Sequence, residues 1–360
     1  MKVALVYDRI NKFGGAERVL LALHEIWPDA PLYTSVYDKK LTPWADHIDV
    51  KTSFLQKLPL PKNKHEYYPF LMGPAFETLV FDEFDVVISV TSEFCKAIVT
   101  KPKTLHVCYC LTPTGYLWSG YKDYYSSHHQ LLVLTGQLIN YLRFYDKIIA
   151  NRPDNYIAIS KTVQERIKKY YGQSSNIIYP PVNLGNISSS GDFFLIVSRL
   201  VAHKQIAIAV KAFNRLELPL VIIGTGEEEK SLRRLAKPNI KFIGNLTDEE
   251  LARYYRTCRA VVIPGVEDFN IVAVEAQSFG KPVIAYGVGG VTETVIENKT
   301  GWFFKEHNSQ SLIDLISKIN WKNFDSRDCQ INARRFSKER FKKEFKTYIE
   351  KTYRQYVRQS

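Results

Sequence analysis

The chain has 360 residues, of which 45% are hydrophobic, 24% charged and 13% aromatic, and it carries a net charge of +12. So many aromatic side chains exclude a disordered chain, and the length suits two domains of about 100–200 residues each. The five cysteines (Cys95, Cys108, Cys110, Cys258, Cys329) are odd in number and scattered, which excludes a disulfide scaffold and predicts buried thiols in a reducing compartment.

The first element, Val3–Tyr7, reads as a buried strand. It reaches Asp8 too soon for a signal peptide, and no later apolar run approaches the ~20 residues of a membrane-spanning helix, so the expectation is a cytoplasmic chain. Phe13-Gly14-Gly15-Ala16-Glu17 then opens a helix over Glu17–Trp27 with an apolar face of Val19, Leu20, Leu23, Ile26 and Trp27. Two glycines at a helix start let the backbone approach an anion; a tight, well-packed turn is the equal alternative. Strand patterns follow at Val86–Val90, Leu105–Cys110 and Tyr156–Ile159, with a helix at Val163–Tyr171. Cys108 and Cys110 have no second pair to complete a metal site.

The pattern breaks at Tyr179-Pro180-Pro181-Val182, and the polar stretch 183–191 reads as a linker. A fresh strand at Phe193–Val197 leads into Ser198–Lys204, where Arg199 lies just past the strand end and Lys204 near the next helix. Two cations there suit a diphosphate, and a solvated surface pair is the alternative. Helices at Ile206–Leu216 and Glu227–Ala236 alternate with strands at Leu220–Ile223, Ala260–Ile263 and Val283–Ala285. Gly224-Thr225-Gly226-Glu227-Glu228 lacks the third glycine of a dinucleotide fingerprint, which argues against a dehydrogenase.

The segment Pro264–Pro282 holds strand end, loop, short helix and glycine stop. Glu267 falls in the loop and Glu275 in the helix, with seven residues between them, and Asn270–Val272 mark the helix start. Carboxylates beside backbone donors suit a polyhydroxyl ligand, because each hydroxyl both donates and accepts; two exposed acids on a helix edge are the alternative. The tail 331–360 holds 10 Lys and Arg against 3 Asp and Glu. Its Phe336, Phe341, Phe345, Tyr348, Ile349, Tyr353 and Tyr356 make one helical face apolar, fit to pack on a domain or to touch an anionic lipid surface. No nucleic-acid-binding module is recognisable.

The alternation predicts α/β architecture: two doubly wound Rossmann-like domains facing a central cleft, with ligands beyond the strand carboxyl ends. The divisions are 1–184, 185–335 and a basic helix, 336–360, packing back on the first domain.

Taken together, Phe13–Glu17, Cys108-Tyr109-Cys110-Leu111-Thr112-Pro113, Ile178–Val182, Ser198–Lys204, Ile243-Gly244-Asn245, Glu267–Gly280 and Ala285–Gly290 resemble the retaining glycosyltransferases of family 4, of GT-B fold. Within that family the chain is most similar to the branch of O-antigen mannosyltransferases. The resemblance implies hexosyl transfer from a nucleoside-diphosphate sugar, GDP-mannose as first guess, to a lipid-linked glycan acceptor at the inner membrane face, with no metal or other cofactor. It assigns Gly14 and Gly15 to the distal phosphate, Arg199 and Lys204 to the leaving diphosphate, and Glu267, Asn270, Ile271 and Val272 to the sugar. Glu275 would hold the ribose, and Gly244 and Asn245 would lie against the base; Glu267, Arg199 and Lys204 are the catalytic set. Leu111 stands where the branch has a histidine, Thr114-Gly115 where it has Met-Arg, and Asn270 where it has Gly. Leu111 and Gly115 motivate an alternative, a catalytically impaired nucleotide-sugar-binding assembly subunit; a sugar-nucleotide epimerase of the same fold is a third reading. Tyr67, Tyr68 and the aromatics of Tyr116–Tyr125 are candidates for stacking on acceptor sugars, or for ordinary packing.

Overall fold

A computed structural model describes residues 1–59, 68–121, 132–188 and 191–359. They divide into two units, Met1–Pro181 with Glu339–Ser360, and Val182–Lys338.

The first unit is built on seven parallel strands: β1 Val3–Tyr7, β2 Leu32–Thr34, β3 Val50–Thr52, β4 Val86–Thr91, β5 Leu105–Cys110, β6 Asn155–Ala158 and β7 Ser175–Ile177, in the order β3-β2-β1-β4-β5-β6-β7. Its helices are α1 Gly15–Ile26, α2 Pro69–Glu77, α3 Leu132–Ile149 and α4 Lys161–Tyr171. Every residue of β1, β4 and β5 is buried, as expected of central parallel strands covered on both faces. The strand order reverses between β1 and β4, which pair from Val3 against Val86 to Tyr7 against Val90.

The second unit repeats the plan with β8 Phe194–Val197, β9 Leu220–Ile223, β10 Ile240–Ile243, β11 Ala260–Ile263, β12 Val283–Tyr286 and β13 Gly301–Phe304, in the order β10-β9-β8-β11-β12-β13. Its helices are α5 Ile206–Leu216, α6 Glu229–Leu235, α7 Asp248–Thr257, α8 Ile271–Ser278, α9 Val291–Thr294, α10 Ser309–Lys318 and α11 Ser326–Arg334. Here the order reverses between β8 and β11. In open parallel sheets, ligands bind beyond the strand carboxyl ends at such a reversal.

Strands β2, β3, β7, β10 and β13 are absent from the sequence reading; all but β2 are edge strands, and β2 lies next to the edge strand β3. The stretch read as a linker is held down over its described part. Gly185 N–H donates to Ser278 Oγ (2.8 Å), Ser188 Oγ to the Arg256 carbonyl (2.8 Å), and the buried Lys281 Nζ to the Ser188 carbonyl (3.2 Å).

The last helix, α12 (Lys338–Gln359), belongs to the first unit beyond its first residue. It buries Phe341, Phe345 and Ile349 completely, with the two rings 5.9 and 5.5 Å from Tyr109, while Arg340 donates to the Tyr179 carbonyl (2.9 Å). All five cysteines are buried and free. Among the described residues, no helix is long and apolar enough to cross a membrane.

Candidate functional site

In the second unit three loops meet at the reversal point. The loop after β8 carries Arg199, exposed, and a short 3-10 helix, Ala202–Lys204. The loop after β11 carries Glu267, and the loop after β12 carries Gly287, Gly289 and Gly290. Lys204 Nζ sits 2.6 Å from both Glu267 carboxylate oxygens, with the side chains 15% and 24% exposed. Sequence reasoning gave the two residues to neighbouring parts of one ligand; in the structure they hold each other.

Glycines make this approach possible. A Cβ on Gly265 would stand 2.8 Å from the Lys204 carbonyl oxygen, so only a bare backbone lets the β11 loop lie on the 3-10 helix. Gly290 N–H donates to the Glu267 carbonyl (2.8 Å), and Gly289, at φ +85°, presents only hydrogen to that same carbonyl. Behind them, His307 stacks on Tyr286 with ring centroids 4.2 Å apart, and its Nε2 lies 2.9 Å from the Pro264 carbonyl. The roles of Gly265, Tyr286 and His307 escaped the sequence reading. The Pro264–Pro282 segment was the visible signal for Gly265 and the Ala285–Gly290 motif for Tyr286, Gly289 and Gly290, whereas nothing local marks His307.

Asn270 caps α8 at φ +75°, and its Oδ1 accepts from Ala273 N–H (2.9 Å). The position needs a left-handed backbone, which Gly adopts freely and Asn tolerates best among the others, so asparagine keeps the turn and adds a cap. The first-turn N–H groups near Ile271 and Val272 have no partner within the helix, and the helix dipole favours an anion or hydroxyl oxygen there. Glu275, one turn further on, accepts a hydrogen bond from Tyr255 OH (2.8 Å), which aims its carboxylate. Gly244 and Asn245 follow β10; a Cβ on Gly244 would meet open space, and Asn245 Oδ1 accepts from Thr225 Oγ1 (3.3 Å). Burial, helped by the Lys204 and Arg199 charges, pushes the His203 imidazole down to about 4, so it adds no positive charge at neutral pH.

Gly14 and Gly15 lie in the first unit, as N-cap and first residue of α1. Glu17 in that first turn is buried and accepts from Tyr7 OH (2.6 Å). The carboxylate of Asp8, at the end of β1, accepts backbone N–H bonds from Ser92 (2.7 Å), Glu93 (3.0 Å), Phe94 (2.9 Å) and Cys95 (2.8 Å). It thereby ties the loop after β4 to the end of β1, across the first sheet's reversal point. Leu111 continues the β5 ladder by donating to the Thr91 carbonyl (2.8 Å), and an aliphatic side chain there offers a ligand no hydrogen bond. Of the candidate acceptor aromatics, Tyr68 is buried and Tyr116 and Tyr121 pack against the core. Tyr67 and residues 122–125 lie outside the described residues. Among those described, no group of three His, Cys, Asp or Glu side chains is placed to hold a metal ion.

Residues 185–336 match the family model described as Glycosyl transferases group 1. O-antigen chain mannosyltransferase C of Escherichia coli is 30% identical over 204 residues, 51% of this chain and 53% of the relative. An uncharacterized glycosyltransferase of Methanocaldococcus jannaschii is 29% identical over 184 residues, 49% and 52% of the two chains. The chain spans about half the length of the curated relatives it matches. Across nearly its whole length it is similar in structure to HepE of Anabaena, solved in complex with UDP and glucose (TM-score 0.73, 19% identity, 97% of this chain and 99% of that one). Sucrose-phosphate synthase of Thermosynechococcus elongatus is comparable (TM-score 0.72, 17% identity, 100% of each chain). The fold is therefore that of the GT-B glycosyltransferases, two Rossmann-like parallel-sheet domains.

Proposed function

We propose that this protein is a retaining, metal-independent hexosyltransferase that takes its sugar from a nucleoside-diphosphate donor held by the second unit. The observation that carries the reading is the meeting of Arg199, Lys204, Glu267 and the α8 N-terminus at one strand-order reversal, within a segment that matches the group 1 glycosyltransferases. Arg199 and Lys204 take the diphosphate and stabilise it as it leaves, which lowers the barrier by opposing charge that develops only in the transition state. Glu267 and the N–H groups of Asn270, Ile271 and Val272 orient the sugar. Glu275, aimed by Tyr255, holds the ribose, and Gly244 and Asn245 border the base.

The O-antigen chain mannosyltransferase supports mannose as the sugar, for which GDP-mannose onto a lipid-linked glycan is our first choice, whereas the complex of HepE with UDP and glucose supports a UDP-sugar. The outward cations of α12, Lys343, Lys346, Lys351, Arg354 and Arg358, suit contact with an anionic membrane at the cytoplasmic face. The test is calorimetric titration with GDP, UDP, dTDP and ADP, in wild type and Arg199→Ala. One diphosphate should bind selectively, and at least about tenfold more weakly to the variant. Undiminished binding to Arg199→Ala refutes the assignment. Leu111 favours a second reading, an assembly subunit that binds donor without turning it over; donor binding with no transfer or hydrolysis would select it.

A further inference from the structure

The Lys204–Glu267 pair fills, with the protein's own carboxylate, the position where the reading above puts a donor phosphate. The two groups are held there by backbone. The Glu267 carbonyl is clamped by Gly290 N–H (2.8 Å) with Gly289 pressed against it, and Lys204 N–H donates to the Val201 carbonyl (3.0 Å) beneath Gly265. With Lys204 Nζ 2.6 Å from both carboxylate oxygens, the ammonium is chelated by the protein's own carboxylate. A phosphate that takes Lys204 must release Glu267, and a carboxylate only 24% exposed then needs other donors.

We infer that Glu267 discriminates between the sugar-charged donor and the spent nucleotide. A nucleoside-diphosphate sugar brings its own replacement donors: its phosphates take Lys204 while its hydroxyls take the freed carboxylate. A bare nucleoside diphosphate takes Lys204 and leaves the carboxylate with nothing from the ligand in return. The Lys204–Glu267 bond thus competes with product more than with donor, and its re-formation helps expel the diphosphate after transfer. The inference rests on the donor-site reading and adds to it a selectivity set by one ion pair.

The experiment measures dissociation constants by calorimetry on the full chain. The ligands are whichever of GDP, UDP, dTDP and ADP binds wild type most tightly, and its hexose conjugate. Glu267→Gln should bind the bare diphosphate about fivefold more tightly, the worth of a partly exposed ion pair, and bind the conjugate more weakly. In a Lys204→Ala background the same change should alter diphosphate binding less than about twofold, because no pair remains to break. Melting curves for each variant establish that it is folded. Diphosphate binding that is unchanged or weaker in Glu267→Gln overturns the inference and leaves the donor site standing. A gain of equal size in the Lys204→Ala background also overturns it. A wild-type chain that binds none of the four diphosphates refutes the donor-site reading itself, and the inference with it.

Discussion

Gly265→Ala tests whether backbone contact sets the position of Lys204. The added Cβ would stand 2.8 Å from the Lys204 carbonyl oxygen and 3.0 Å from its carbonyl carbon and Cα, where ordinary contacts run 3.4–4 Å. The obstacle is backbone on both sides, so no side chain can swing away, and the 3-10 helix must shift by about half an ångström. Overpacking of this kind costs ~1–3 kcal/mol. The loss of unfolded-state freedom on replacing glycine returns about 0.4–1 kcal/mol, leaving a net cost of ~1–2 kcal/mol. For a domain of this size that lowers the melting temperature by about 4 °C. The functional effect should be larger than the stability effect. In the proposed reaction an ammonium displaced by half an ångström would meet the leaving phosphate badly, and transfer should fall about tenfold. Differential scanning calorimetry and initial rates at saturating acceptor read the two effects separately. A variant that melts within about 1 °C of wild type and transfers at the wild-type rate would refute the claim that this close approach positions the lysine.

Three further outcomes follow from buried groups. Asp8→Asn should destabilise the chain by about 3 kcal/mol in urea unfolding, because one carboxylate accepts four backbone N–H bonds and the amide keeps only one acceptor oxygen. Phe345→Ala should cost ~3–5 kcal/mol, with early proteolytic cleavage in the first unit, since the ring is fully buried against Tyr109. His106, buried beside Ser89 Oγ (2.8 Å), is pushed by burial and the Arg152 charge down to about 3 from 6.5. The unfolded chain takes up that proton below pH 6.5 and the folded chain does not, so stability falls as pH drops from 6.5 towards 3. At pH 5 the loss from this group is about 2 kcal/mol, and His106→Gln should lack it; equal pH slopes in the two chains would contradict the assignment.

Much of the fold was legible because its central strands are continuous apolar runs. Val3–Tyr7, Leu105–Cys110, Leu220–Ile223 and Ala260–Ile263 are strands over the same residues in sequence and structure. Strands β2, β3 and β7 are three residues each, too short for periodicity to register; β10 is interrupted by Lys241, and β13 has only three apolar residues after Gly301. The site was legible as strand-end loops, since Arg199, Lys204 and Glu267 each follow a recognisable strand. Their pairing was not. Lys204 and Glu267 are 63 residues apart, and what joins them is Gly265 lying on a carbonyl. A sequence displays a glycine but not the atom it must pass. The polar run after Val182 was legible as the stretch beside the division between the units, but its hydrogen-bond partners, Ser278, Arg256 and Lys281, were not, because no local pattern reveals them.

The placement of α12 has a consequence for synthesis on the ribosome. The helix that roofs Tyr109 is the last part of the first unit to emerge, after the whole of Val182–Lys338. Until then the first unit holds an open aromatic surface, while the second already has its entire set of residues. The first unit therefore cannot complete its packing until the second has been translated, and for that interval its partly covered apolar surface is open to aggregation. A premature stop before Phe341 would leave that surface permanently uncovered, so its damage should appear first as loss of soluble protein, ahead of any loss of ligand binding by the second unit.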